Sequence, residues 1–147
     1  MKQLAISSPA FENNKLIPSK YTCDGADVNP PLTIANIPET TKTLALIVED
    51  PDAPAGLWIH WIAWNIPPTA SIKEDSVPGT EGLNTNREHA YNGPCPPSGT
   101  HRYFFRVYAL DAKLDLGENS DKKAVEKAMQ GHILGKGELM GLYKRSK

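Results

Sequence analysis

The stretch TLALIVEDPDAPAGLWIHWIAWNI (residues 43–66) decides the fold class, because it holds two strand-like runs joined by a short proline-rich connection. Residues 43–50 are apolar almost throughout, which predicts a strand that is buried on both faces. Pro51 and Pro54 lack the N–H that a sheet ladder requires, so this strand ends at the two acids beside them.

Two long segments show the alternation of sheet strands. Residues 58–66 follow the proline turn, and a period of two places one set of side chains on a common face: Trp58, His60, Ile62, Trp64 and Ile66. Residues 101–110, HRYFFRVYAL, alternate in the same way and separate into two sets. One set is His101, Tyr103, Phe105 and Val107, and the other is Arg102, Phe104, Arg106 and Tyr108.

The remaining pattern indicates a mainly β protein. The 13 prolines and 11 glycines cluster between short apolar runs, as in all-β domains with many fixed loops. Short strands are predicted at 2–7, 20–24 and 32–37, and a final strand at 133–143. One helix is predicted at 120–131, with Ser120 as its N-cap and Gly131 as its stop. Residues 69–92 are predicted to be a long loop, a type of segment that is often functional.

Composition excludes several classes of function. A chain of 147 residues fits one domain, with residues 1–147 predicted to form it. A net charge of -1 gives no electrostatic footprint for nucleic acid. No run of about 18 apolar residues is available to span a membrane. The first residues lack the apolar segment of a secretory signal, so a cytoplasmic location is expected.

The two cysteines, Cys23 and Cys95, are far apart and form no CxxC pair. This spacing disfavours a zinc knuckle or a thioredoxin-like motif. Two free thiols in a reducing compartment are the favoured interpretation, and a disulfide between two loops is the alternative.

The acids at the end of the first strand differ in what they are predicted to do. Asp52 is expected to accept hydrogen bonds from nearby backbone N–H groups in an Asx-type turn. Asp50 shares a strand face with Val48, so its side chain is predicted to reach the rim of an apolar cavity. His60 lies between aromatic residues inside a strand, where a satisfied core histidine is more common than a ligand.

The segment GPCPPSGTHRY (residues 93–103) is the most unusual stretch. Its prolines and glycines predict a rigid wall or a cis-proline turn before His101 and Tyr103. Imidazoles and a phenolic hydroxyl donate to phosphate or carboxylate oxygens, so these residues suggest a small anion pocket together with Asp50 and His60. No nucleophile elbow or phosphate loop is present. A metal site built from two histidines and one carboxylate has only weak support.

These motifs together resemble the phosphatidylethanolamine-binding protein family. DPDAP at 50–54, Trp58-x-His60 and GPCPPSGTHRY carry the resemblance, and YTCDG and NPPL near the start are similar to its compact bacterial and archaeal, Raf-kinase-inhibitor-like branch. The resemblance implies a large, mostly antiparallel sheet packed on a smaller one, with few helices. It also implies a cavity for phosphate-like anions or phospholipid head groups, lined by Asp50, Trp58, His60, Pro96, Pro97, His101 and Tyr103.

By this resemblance Asp50 would accept from an ammonium group or orient His60, the imidazoles and Tyr103 would hold the anion, and the prolines would shape the wall. The leading hypothesis is a non-enzymatic binding protein with no metal, cofactor or catalytic residue, which regulates a partner such as a protein kinase or a protease. The resemblance also implies a homodimer. The alternatives are a metal-dependent or acid–base hydrolase using Asp50, His60 and His101, and an inhibitor that inserts a loop (69–92 or 93–100) into a protease.

Overall fold

The computed structural model describes residues 1–145. Within that range the chain forms two β-sheets, one α-helix and one short 3-10 helix, which confirms the mainly β fold. The strands are β1 (Lys2–Gln3), β2 (Ala5–Ser7), β3 (Leu32–Ala35), β4 (Thr43–Asp50), β5 (Trp58–Ile66), β6 (Ser71–Ile72), β7 (Thr80–Glu81), β8 (His101–Leu110) and β9 (Ile133–Tyr143). The helix α1 spans Lys122–Met129, and the 3-10 helix spans Ser19–Tyr21.

The large sheet has the order β1-β9-β8-β4-β5-β7, and the small sheet has the order β2-β3-β6. Strand β4 lies inside the large sheet, and every one of its residues is buried, as its continuous apolar pattern predicts. One hydrophobic core fills the space between the two sheets, and a second lies between the large sheet and α1. The large sheet is therefore covered on both faces.

The predicted common face of β5 is wrong, because two β-bulges interrupt the two-residue period. The pairing of β4 with β5 shifts between Val48 and Glu49 and again between Leu44 and Leu46. Each shift adds one residue to β5, and an extra residue reverses the alternation that follows it. As a result Ile62 and Trp64 face the helix, whereas Trp61, Ala63 and Ile66 face the small sheet. By contrast, the alternation predicted for β8 is present, with His101, Tyr103, Phe105 and Val107 all buried.

Several local predictions need correction. Residues 20–24 form no strand, because the 3-10 helix and the turns that follow it occupy this segment. The N-cap of α1 is Asp121 rather than Ser120, and the Asp121 carboxylate accepts a hydrogen bond from the Ala124 backbone N–H. Gly131 ends the helical segment with a φ of 81°, as expected for a glycine stop. The loop predicted at 69–92 contains two short edge strands, β6 and β7.

The two cysteines are joined. Cys23 and Cys95 form a disulfide with a Cα–Cα distance of 5.4 Å, so the interpretation as free thiols is wrong and the alternative is correct. The bridge ties the segment after the 3-10 helix to the GPCPP loop. That loop contains no cis-proline turn, since residues 1–145 include no cis peptide bond. In the same part of the chain, no helix is long and apolar enough to cross a bilayer.

Candidate functional site

A cavity of about 260 Å³ opens at one end of the large sheet. Strands β4, β5 and β8 are adjacent and antiparallel there, so the last residue of β4 lies beside the first residues of β5 and β8. This arrangement brings residues 50–60, with the DPDAP and Trp58-x-His60 motifs, next to the GPCPPSGTHRY segment at 93–103. All seven residues predicted for the pocket line this cavity: Asp50, Trp58, His60, Pro96, Pro97, His101 and Tyr103.

The carboxylate of Asp50 is paired with His101 and not with His60, which was one of the two roles that the resemblance implied for it. Asp50 Oδ2 lies 2.7 Å from His101 Nδ1, and both side chains are buried. Asp50 Oδ1 also accepts a hydrogen bond from the Asp52 backbone N–H at 2.7 Å. The Asx-type turn is therefore built by Asp50, two residues before the predicted Asp52 acceptor. A carboxylate that bonds one ring nitrogen fixes the orientation of the imidazole and directs its other nitrogen elsewhere.

His60 is held by a main-chain partner. Its Nδ1 lies 2.6 Å from the backbone oxygen of Asn92, and the Asn92 backbone N–H donates to the His60 oxygen at 3.0 Å. A carbonyl oxygen only accepts hydrogen bonds, so Nδ1 carries the hydrogen in this pair. Burial lowers the pKa of His60, which outweighs the opposing effects of the Asn92 carbonyl and the Asp50 carboxylate. The neutral ring then presents Nε2 as an acceptor.

Tyr103 lies against both imidazoles. Its ring makes an edge contact with His60 at 5.3 Å between centroids and stacks on His101 at 6.4 Å. The Tyr103 hydroxyl is buried and makes no hydrogen bond of normal length among residues 1–145, although the Asp50 carboxylate lies near enough to act on it. Burial, followed by the carboxylates of Asp50 and Asp52, raises the pKa of Tyr103, so the hydroxyl keeps its proton. A buried hydroxyl without a partner is a donor that a bound ligand would satisfy.

The cavity wall contains no lysine or arginine among the described residues. The guanidinium of Arg102, the residue after His101, pairs instead with Asp52 through Nε–Oδ2 and Nη2–Oδ1 contacts of 2.9 and 2.8 Å. The Arg102 backbone N–H also donates to Asp52 at 3.0 Å, which fastens the DPDAP turn to the start of β8. These hydrogen bonds lower the pKa of Asp52. Asp52 is therefore a structural residue, whereas Asp50 belongs to the cavity.

Sequence reasoning missed the residues that support His60. Asn92 also accepts side-chain hydrogen bonds from Asn84 and Asn86 at its Oδ1, at 3.0 and 2.9 Å. This asparagine cluster orders the end of the long loop, which lines the cavity with Asn86 and Asn92. The remaining unpredicted wall residues are Ala53, Pro54, Gly93 and Cys95. The recurrence of asparagine at 84, 86 and 92 is the sequence signal that could have identified the asparagine cluster.

No group of three or more histidine, cysteine or acidic side chains within residues 1–145 is arranged to hold a metal ion. Asp50 and His101 are bonded to each other, and His60 Nδ1 is bonded to a carbonyl. Asp50, His60 and His101, the residues considered for a metal site, therefore line one cavity, but each already bonds another protein group through an atom that could bind a metal.

The buried neutral state of His60 predicts a pH effect on stability. Its folded pKa lies below the ordinary value of about 6.5, so below that pH the unfolded chain binds a proton that the folded ring resists. The contribution of His60 to the free energy of unfolding is therefore lost as pH falls from about 6.5. Urea unfolding between pH 7.5 and 5 is expected to show a smaller loss in His60→Gln than in the unmodified chain. Parallel pH profiles of the two proteins would contradict this.

Comparison with known proteins adds independent information. The model of the family described as phosphatidylethanolamine-binding protein matches residues 7–144. A "UPF0098 protein" of Methanothermobacter thermautotrophicus is 47% identical over 148 residues, which cover 95% of this chain and 98% of that protein.

Two solved structures share the fold. The crystal structure of a putative phosphatidylethanolamine-binding protein homolog, CT736 from Chlamydia trachomatis, has a TM-score of 0.95 at 42% identity and covers 99% of this chain and 100% of its own. Escherichia coli YbcL, described as a new member of the mammalian family, has a TM-score of 0.88 at 26% identity, with 98% and 99% covered. The similarity extends over nearly the whole of each chain.

Proposed function

This chain belongs to the phosphatidylethanolamine-binding protein family, and we propose that it is a non-enzymatic binding protein whose cavity holds a phosphate-bearing anion. The observation that carries the proposal is the convergence of two oriented imidazoles and one unpaired, buried hydroxyl in a single small cavity. Pre-formed concave sites with a few convergent polar groups are typical of ligand binding.

Each of these residues has a role in the proposed binding. His101 and Tyr103 contact the phosphate oxygens, and Asp50 holds His101 in its orientation through the 2.7 Å contact. Trp58, Pro96 and Pro97 supply the apolar wall that excludes water and strengthens these polar contacts. An ammonium group on the ligand would be accepted by the carboxylate of Asp50, the only acid in the wall among the described residues.

Replacing either imidazole is expected to weaken binding. His60→Ala and His101→Ala each remove one polar contact with the charged group, and such a contact is worth roughly 10- to 100-fold in affinity. Calorimetric titration with phosphoethanolamine measures this effect. His132→Ala is the matched control, because His132 is half-exposed and pairs with Asp111 outside the cavity. Equal affinity in all four proteins would refute the proposal, provided that thermal unfolding shows each variant to be folded.

Acid–base hydrolysis is the second candidate function. The buried Asp50–His101 pair is the observation in its favour, because a carboxylate that orients an imidazole is also the arrangement of a general base. Hydrolysis of p-nitrophenyl phosphate that is lost in both His101→Ala and Asp50→Asn would support the enzyme. Turnover that is unchanged in both variants, or absent from the unmodified chain, would remove this candidate.

Regulation of a kinase or protease, a homodimer and a cytoplasmic location remain predictions. The disulfide bears most on the location, because disulfides persist mainly in oxidising compartments and in intracellular proteins of hyperthermophiles. Trapping free thiols at the moment of lysis and counting those on this protein would show whether Cys23 and Cys95 are reduced or bridged in the source cells.

A further inference from the structure

The hydrogen-bond polarity of His60 points to a selectivity within the proposed phosphate site. Nδ1 donates to the Asn92 backbone oxygen at 2.6 Å, and the reciprocal Asn92 N–H contact at 3.0 Å fixes this pairing. A neutral imidazole that donates through Nδ1 can only accept through Nε2. The ring lines the cavity, and Nε2 makes no hydrogen bond with the described residues.

An acceptor facing a phosphate is unfavourable unless the phosphate brings a hydrogen. A phosphomonoester retains a P–OH group in its monoanionic form, with a second pKa of about 6. A phosphodiester has no such hydrogen near neutral pH. We infer that His60 makes the cavity selective for phosphomonoester monoanions over phosphodiesters, with the ligand P–OH donating to His60 Nε2. This inference rests on the proposed function, since it requires that the cavity bind a phosphate group.

The charges around His60 favour a monoanion over a dianion. The ring contacts Tyr103 on β8, and the charged or titratable groups that act on it electrostatically are Asp50 at the end of β4, His101 on β8 and Asp27 in the loop beyond the 3-10 helix. Of the two carboxylates, Asp50 lines the cavity, and no lysine or arginine lines the described cavity. A second negative charge on the ligand would therefore be repelled without a fixed cation to offset it.

Proton accounting provides the test. At pH 7.5 free phosphoethanolamine is mainly a dianion, whereas glycerophosphoethanolamine is a diester with the same ammonium group. Calorimetric titration of each ligand in two buffers of different ionisation enthalpy gives the number of protons taken up. The monoester is expected to take up about one proton more than the diester, because its phosphate binds protonated. It is also expected to bind about tenfold more tightly at pH 6, because the diester leaves a buried acceptor unpaired.

His60→Gln is the decisive variant, since an amide can either donate or accept at this position. The difference of one proton and the preference for the monoester are both expected to disappear. His132→Gln, outside the cavity, should retain both. Inorganic phosphate also carries a P–OH group and should show the same proton uptake as the monoester. Its affinity relative to phosphoethanolamine then separates the two ligand sources: tighter binding of phosphoethanolamine indicates a head group with an ammonium, and equal or weaker binding indicates free phosphate.

The outcomes separate the selectivity for phosphomonoesters from the phosphate site itself. Equal proton uptake with equal affinity for monoester and diester would overturn the selectivity and leave the phosphate site standing. Failure of all three ligands to bind between pH 5.5 and 8 would overturn the proposed function as well. Should His60→Gln not fold, the comparison of the two ligands on the unmodified chain still decides the selectivity.

Discussion

Replacing Cys23 and Cys95 together by serine is expected to lower the free energy of unfolding by about 4 kcal/mol. The disulfide closes a loop with a sequence separation of 72, and its main effect is to restrict the unfolded chain. For a chain of this length the loss corresponds to a fall in the unfolding midpoint of roughly 10 °C. Thermal unfolding of the double variant measures it.

Two comparisons make the result specific to the covalent link. The unmodified chain in excess reductant should unfold at the same temperature as the double variant, and the variant should not respond to reductant. The loop also remains attached by the Cys23 N–H to Pro94 oxygen bond and by the Gly93 N–H to Asp27 bond, at 3.1 and 2.7 Å. The reduced protein should therefore still fold. An unchanged midpoint in both comparisons would show that the bridge adds no stability.

The disulfide also connects stability to the candidate site. Cys95 lines the cavity between Pro94 and Pro96, so the bridge fixes one wall of the site to the segment after the 3-10 helix. Nothing in the spacing of two distant cysteines reveals such a contact, because only the folded chain brings residues 23 and 95 together. The sequence could therefore give the two alternatives but not choose between them.

The strands that the sequence predicted well are those with long, strongly patterned runs. Strand β4 is apolar on both faces, and β8 alternates over ten residues, so burial in the sheet agrees with the local pattern. Strand β5 has the predicted bounds, but the prediction of which of its residues share a face is wrong. Each β-bulge depends on the register with β4, which the local pattern does not show. Asn65, at the second bulge, has a φ of 54° and bonds Leu114 through both side-chain atoms. Such tertiary contacts have no local signature.

The members of the candidate site were predictable, whereas their pairings were not. The bulge at His60 turns its side chain and that of Trp61 toward the same side, which a strict alternation forbids. The pairing of Asp50 with His101 follows from the order of β5, β4 and β8 in the sheet, which a single sequence does not specify. Every residue has a backbone oxygen, so the sequence cannot show that the one of Asn92 bonds His60. This contact nevertheless determines which ring nitrogen of His60 donates and which accepts.

The neighbouring acids of the DPDAP turn should differ sharply in their effect on stability. Asp50→Ala is expected to lower the free energy of unfolding by about 3 kcal/mol, because it leaves two donors, the buried His101 Nδ1–H and the Asp52 backbone N–H, without their acceptor. Asp52→Ala should cost only about 1 kcal/mol, since Arg102 is half-exposed and water replaces the lost partner. Urea unfolding at pH 7 measures both values.

Two further measurements identify the physical origin of this difference. Asp50→Asn keeps one acceptor oxygen and should recover part of the loss seen in Asp50→Ala. The pKa of Asp52 is lowered by Arg102, so the contribution of Asp52 is present above its unfolded pKa of about 4 and is lost as pH falls through the folded value. The cost of Asp52→Ala should therefore diminish in acid. Equal losses in the free energy of unfolding for Asp50→Ala and Asp52→Ala at pH 7 would contradict this prediction. The buried Asp50–His101 hydrogen bond would then not contribute the expected stability.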